Sequence, residues 1–322
     1  MHVAEVPLLI FTILGQLSVG VLLVLGAINV IGAATWGTQR IGLIADPALY
    51  AIGPTLVLGF AGSFLHLGNP FNAMNAMNHL SSSWMSREIL VGVLFGAVGA
   101  VYAIAQLFHL FSQVVRQALA VITALIGVAL IIVMAQLYQL PTVPVWNHWT
   151  TTAQFFGTTV LLGTMAVAVA LTWPLTKPVR HLVRDRRTPE ERSAYAADLA
   201  AARNDMVLPI LRWLAVAAIA ALGVIVIVNL AWIGHLMGDG STSAQQSLAV
   251  ITEHGGLWLI LHLGLGLLGT GIMGFFLFRL VRGDRGVPKG LVAMLLIAFT
   301  LVFAGEVIGR LLFYSAYVRV GF

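Results

Sequence analysis

Long apolar runs separated by short polar junctions organise this chain from end to end. A helix needs roughly 20 apolar residues to cross the hydrocarbon core of a bilayer, and by that rule the pattern predicts about eight spans. They run over Leu8–Ile31, Leu49–Leu67, Glu88–Leu110, Ala118–Tyr138, Ala153–Trp173, Leu208–Leu236, Trp258–Val281 and Gly290–Tyr314. Pro or Gly punctuates most junctions, at Pro47, Pro70, Pro141, Pro144, Pro174, Gly238 and Pro288. The predicted fold class is therefore all-α: a polytopic membrane protein with eight transmembrane helices, forming one integral membrane domain over residues 1–322. The opening "MHVAEVP" has no basic stretch, and the apolar run behind it is too long for a signal-peptide core, so it reads as a retained first span.

The largest junction, residues 174–207, is basic. Within it "TPEERSAYAADLAAAR" predicts a short helix with Thr188 at N-cap, Pro189 at N1 and Glu191 at N3, a capping box. Its charges fit a solvated face of a cytoplasmic loop. A docking surface for a partner is the other reading.

Composition supports the membrane assignment. The chain is 59% hydrophobic and 9% charged, against about 25% charged in a soluble domain. It has no cysteine, so it cannot ligate an iron–sulfur cluster, form a disulfide or use a thiol nucleophile. The net charge of +5 does not signal nucleic acid, because the basic residues collect in a few junctions between apolar runs. With an even number of spans both termini share one side. The opposite side receives Arg40, Arg116, the cluster from Lys177 to Arg212, and Arg279, Arg282, Arg285 and Lys289. The positive-inside rule makes that side cytoplasmic and places both termini in the periplasm. The surroundings are then membrane lipid of the cytoplasmic (inner) membrane, crossed several times.

Ionisable groups inside a membrane are costly and mark function by default. On this topology most gather near the outer face. The second span ends at His66 and the third begins at Arg87 and Glu88. The last span approaches the same face with Glu306, Arg310 and Tyr314; His235 closes the sixth span there, and His262 lies about one turn inside the seventh. Each also has a structural reading. His66 suits the negative end of the second helix. Glu88 follows Ser86, a plausible N-cap, and suits the positive end of the third. Glu306 and Arg310, spaced i,i+4, form a supporting ion pair that fixes helix packing. The asparagines of "NPFNAMNAMN", Asn69 among them, recur every three residues and fit one face of an interfacial helix.

Taken together, the set points to proton handling. A neutral imidazole at a bilayer edge accepts a proton near pH 7, and a carboxylate beside it orients it or carries the proton onward. A lipid-soluble two-electron, two-proton carrier needs such groups, so His66 and Glu88 are expected to flank a quinol head-group pocket at the outer face. A haem needs a facing pair of axial histidines inside the spans. His66, His235 and His262 share one level, but none is in mid-span and no inner pair accompanies them. A secondary transporter would place its site at the midplane between discontinuous helices. Here mid-span polar residues such as Asn229 and Gln136 are few.

Three stretches then bear a resemblance. "EVPLLIFTILGQLSVG" at Glu5–Gly20, "LHLGNPFNAMNAMNHL" with "SREI" after it, and "GEVIGRLLFY" at Gly305–Tyr314 resemble, in that order, the membrane-anchor subunit of dimethyl sulfoxide reductase, the DmsC family. The resemblance implies a chain without haem that oxidises menaquinol. Electrons would pass to a four-cluster iron–sulfur subunit and on to a molybdopterin catalytic subunit, both on the periplasmic side. It also implies quinol binding by His66, in the family's "HLG-S/N-P" motif, and by Glu88, in its "S-N-E-I" motif. Asn69 and Arg87 flank these positions. Arg87 stands where that motif has Asn, and the added guanidinium is expected to act on the neighbouring carboxylate. The same groups serve the reverse direction, a quinone-reducing anchor for a formate- or sulfur-compound-oxidising complex. Because the terminal reductase consumes protons on the side where the pocket releases them, turnover is expected to move no net charge across the membrane.

Overall fold

A computed structural model describes residues 6–37, 41, 44, 77–108, 110–172, 188–282 and 290–320. Its helices are α1 (Val6–Trp36), α2 (Trp84–Leu107), α3 (Gln113–Tyr138), α4 (Trp149–Thr172), α5 (Pro189–Gly238), the short α6 (Thr242–Ala249), α7 (Gly256–Arg282) and α8 (Leu291–Ser315). Among the described residues seven helices, all but α6, are long and apolar enough to cross a membrane. They correspond to seven of the expected spans. The remaining one, Leu49–Leu67, lies outside the described residues, as do His66 and Asn69.

Local sequence sets most helix starts. Ser83, Ser112 and Ser241 each accept a bond from a backbone N–H three residues on, capping α2, α3 and α6. Gly290 opens α8 at φ 104°, a left-handed conformation that costs glycine little. One start and one end differ from expectation. The cap of α2 is Ser83 and not Ser86, which is buried inside the first turn, so Glu88 lies one turn deeper than an N-terminal acid. The helix expected to be confined to the basic junction starts at Pro189, as its N1 position predicts, but then runs unbroken through the membrane span, 50 residues in all. The Ala-rich "AADLAAAR" favours helix whether solvated or buried. Pro209 removes one bond, to the carbonyl of Asp205, an exposed residue.

Helix α4 is the axle of the bundle: 78% of its apolar window is buried, and it packs against α1, α3, α5 and α8. Helix α2 is the periphery, 17% buried and packed on α3. Val93, Leu94, Val101 and Ile104 on α2 are exposed, as suits a lipid-facing surface. Exposed Trp84, Trp149 and Trp258 stand at the starts of α2, α4 and α7, where an interfacial aromatic belt belongs.

The α1–α4 contact is backbone on backbone. A Cβ added at Gly20 or Gly163 would run into the facing main chain of the other helix. Gly163→Val is therefore expected to cost about 1–3 kcal/mol through overpacking. A lowered thermal midpoint of the detergent-solubilised protein would register it.

Candidate functional site

One end of the bundle, where α1 begins and α8 finishes, collects the buried polar side chains. Three helices bring them there by the same device, polar residues one turn apart in an apolar span. Helix α1 carries Thr12 and Gln16, α4 carries Gln154 and Thr158, and α8 carries Glu306, Arg310 and Tyr314. Residues at i,i+4 share a helix face, so each set points the same way.

The first group is built around two tyrosines. The Tyr138 and Tyr314 hydroxyls lie 2.9 Å apart, and Tyr314 donates to Thr12 Oγ1 at 3.3 Å. Thr12 in turn donates to the carbonyls of Leu8 and Leu9. Each hydroxyl has a single proton to give. Tyr314 directs its proton to Thr12, so Tyr138 donates to Tyr314, and the Tyr138 oxygen is left to accept. Glu88, half-buried on α2, lies within electrostatic range of both phenols. Trp146 covers this group from the α3–α4 connection. It stacks on Phe313 at 5.2 Å between centroids, lies 4.9 Å from Tyr317, and donates from Nε1 to the Phe313 carbonyl.

The second group surrounds Arg310, which is 4% exposed. Its guanidinium sits 3.9 Å over the Phe155 ring and 5.1 Å from the Phe313 ring, and Nη2 donates to Gln16 Oε1 at 3.1 Å. Among the described residues Nε and Nη1 have no partner, and neither does Gln16 Nε2. One turn below, Glu306 accepts from Thr158 Oγ1 at 2.6 Å and faces His262 Nδ1 at 3.9 Å. His262 Nδ1 also bonds the Gly305 carbonyl at 2.8 Å, which fixes the ring. The glycines of "GEVIGR" make the room: a Cβ at Gly309 would stand 2.6 Å from His262 Nδ1. Glu306, Arg310, His262, Thr158, Gln154 and Asn229 line part of a crevice between α4, α5, α7 and α8.

The expected residues fare differently. His66 and Asn69 lie outside the described residues. Arg87 does not act on Glu88: it donates from Nε to the Leu80 carbonyl at 2.8 Å and from Nη2 to the Ser81 carbonyl at 2.7 Å, with its guanidinium 4.3 Å over Trp84. Consecutive helical residues point about 100° apart, so the guanidinium turns back onto the preceding loop. Glu306 and Arg310 are one turn apart, yet no contact closes between them; each is held by groups on other helices.

Tyr138, Thr12, Gln16 and Thr158 complete the cluster and were not singled out by the sequence reading. The available signal was the i,i+4 recurrence of polar residues at matching depths. His235, at the end of α5, stacks on His148 at 4.1 Å with the rings 6° from parallel. Desolvation and the charge of His235 hold His148, in the loop, below the ordinary imidazole value.

Comparison with known proteins agrees with this architecture. The family model described as DMSO reductase anchor subunit (DmsC) matches residues 1–182. The protein is 30% identical over 321 residues to the YnfH subunit of anaerobic dimethyl sulfoxide reductase of Escherichia coli (strain K12), covering 98% of this sequence and 96% of that one. It is 27% identical over 320 residues to the C subunit of anaerobic dimethyl sulfoxide reductase of the same organism, with the same coverage, 98% and 96%. Against the C subunit of Haemophilus influenzae (strain ATCC 51907 / DSM 11121 / KW20 / Rd) the identity is 32% over 170 residues, 53% of this sequence and 59% of that one. A bundle of apolar spans with this similarity along nearly its whole length belongs to the DMSO reductase anchor subunit (DmsC) family, as a multi-pass membrane anchor of the inner membrane.

Proposed function

We propose that this anchor oxidises menaquinol near the periplasmic face and passes the electrons to an iron–sulfur subunit, which feeds a molybdopterin catalytic subunit. Family membership supports the setting. The observation that carries the site is the placing of Glu88. It sits past the cap of α2, not engaged by the helix terminus, within electrostatic range of the Tyr138–Tyr314 pair.

In this reading the quinol gives up two electrons and two hydroxyl protons and becomes the quinone. His66 and Glu88 accept protons, Asn69 lies beside the head group, and Arg87 holds the loop that leads into α2. The protein has no cysteine with which to store electrons as an iron–sulfur cluster, so the acceptor docks at the same periplasmic end. Both termini would lie on that side.

Purification of the protein in mild detergent with its partners tests the proposal. Expected are co-purifying iron and molybdenum, no haem band in the visible spectrum, and reduction of the terminal acceptor driven by a menaquinol analogue. A lone polypeptide without redox partners points to transport. A reporter fused to either terminus that is active in the cytosol overturns the orientation.

A further inference from the structure

On the quinol reading, the pocket uses one end of a longer polar seam. From Glu88 the seam passes the hydroxyls of Tyr138 and Tyr314, reaches Gln16 and Arg310, and ends at Glu306 and His262 in the crevice. It crosses a core otherwise filled by side chains such as Phe155, Phe313, Leu17 and Ile13. Polar atoms buried in such a core need partners, yet among the described residues Gln16 Nε2, Arg310 Nε and Nη1, and Gln154 Nε2 have none. Several unmatched donors together make a site for ordered water.

The far end of the seam is a carboxylate with an oxygen still open to a partner. Thr158 occupies Glu306 Oε2. The other oxygen is 3.9 Å from His262, too long for a hydrogen bond, and Arg310 is turned toward Gln16. By the 1.5 Å rise per residue Glu306 lies about 13 Å inside the end of α8. Glu306 stands within electrostatic range of Arg310 without closing onto it, and it lines the crevice.

We propose that the seam is the proton outlet of the quinol site, with Glu306 the group that receives the proton and the crevice its route to water. The inference rests on the quinol reading above. When the iron–sulfur subunit takes the two electrons, an O–H bond of the quinol breaks and its proton goes to Glu88. That proton moves through the hydroxyls of Tyr138, Tyr314 and Thr12 in turn, each accepting one and releasing its own. Water held by the N–H groups of Gln16, one turn along α1 from Thr12, and of Arg310 takes it from Thr12 and delivers it to the Glu306 carboxylate. Glu306 then releases it to water in the crevice, with His262 fixed beside it by the Gly305 carbonyl.

The test uses the assembled complex in native membranes. Glu306→Gln keeps the shape and the bond from Thr158 but cannot carry the proton. Turnover driven by a menaquinol analogue is expected to fall about 100-fold, the low end for loss of a proton-transfer group. The solvent deuterium isotope effect should rise, the dissociation constant of the analogue should stay unchanged, and Glu306→Asp should recover part of the rate. Turnover driven by a reduced viologen dye, which bypasses the anchor, reports assembly. If Glu306→Gln runs within twofold of the parent while Glu88→Gln is impaired, the outlet is wrong and the quinol site stands. If both run normally, the quinol reading itself falls. Should Glu306→Gln fail to assemble, His262→Gln and Thr158→Val take its place. A tenfold slower quinol-driven rate with a raised isotope effect in both supports the outlet, and parent-like rates in both overturn it.

Discussion

Glu88→Gln is expected to lower quinol-driven turnover of the complete complex by about 100-fold or more, the range found when a positioned proton acceptor is removed. The substitution is nearly isosteric and leaves the start of α2 alone, because Ser83 caps that helix and Arg87 ties it to the Leu80–Ser81 loop. Stability should therefore stay within about 0.5 kcal/mol of the parent. The loss should appear in kcat more than in KM, since an amide still offers a hydrogen bond to the head group but takes no proton. His66→Ala should give the same pattern. The measurement is steady-state reduction of the terminal acceptor with a menaquinol analogue, normalised to viologen-driven turnover of the same membranes. Unchanged quinol-driven rates in both variants would remove the two residues from the site.

Arg310→Met should be the most damaging single change to stability. The guanidinium is sealed between Phe155 and Phe313 and bonded to Gln16. It is also the cation within electrostatic range of Glu306. Removing one member of a buried charge set leaves the other uncompensated, at a cost of about 3–5 kcal/mol. Arg310→Lys should not rescue it, because an ammonium neither lies flat between two rings nor has the planar fork that reaches Gln16. The companion change decides the cause. Adding Glu306→Gln to Arg310→Met removes the stranded carboxylate, so the double variant should be more stable than Arg310→Met alone. Thermal midpoints of the four solubilised proteins close that cycle. Strict additivity would mean that the two side chains do not sense each other, despite standing one turn apart.

How much of this was legible beforehand follows from the kind of signal involved. Span positions were legible because length and apolarity are properties of a continuous segment; the start of α8 at Gly290 and the end of α3 at Tyr138 match the apolar runs closely. The cap of α2 was displaced by one turn because a run of serines offers several caps, and only the position of the first helical turn selects Ser83. The 50-residue α5 was divided because hydropathy changes at the membrane surface while helix propensity does not. Arg87 and the Glu306–Arg310 spacing misled in the same way. Closeness in sequence suggested pairing, but each side chain had a better partner elsewhere, in loop carbonyls for Arg87 and in α1, α4 and α7 for the other two.

By itself the sequence determined that this protein lives in a bilayer, that its spans are helical, that no cysteine is available for redox chemistry, and that most ionisable groups within its spans lie toward one set of helix ends. Those properties depend on composition and on spacing within single segments. Only the tertiary structure decided that Thr12, Tyr138 and Tyr314 form one directed series of hydroxyls, that Thr158 and His262 meet Glu306, and that Arg310 turns to Gln16. Each of those contacts joins residues far apart in the sequence. Their partners are chosen by which helix faces pack together and by where glycines such as Gly309 let two helices approach, and no single segment records that choice.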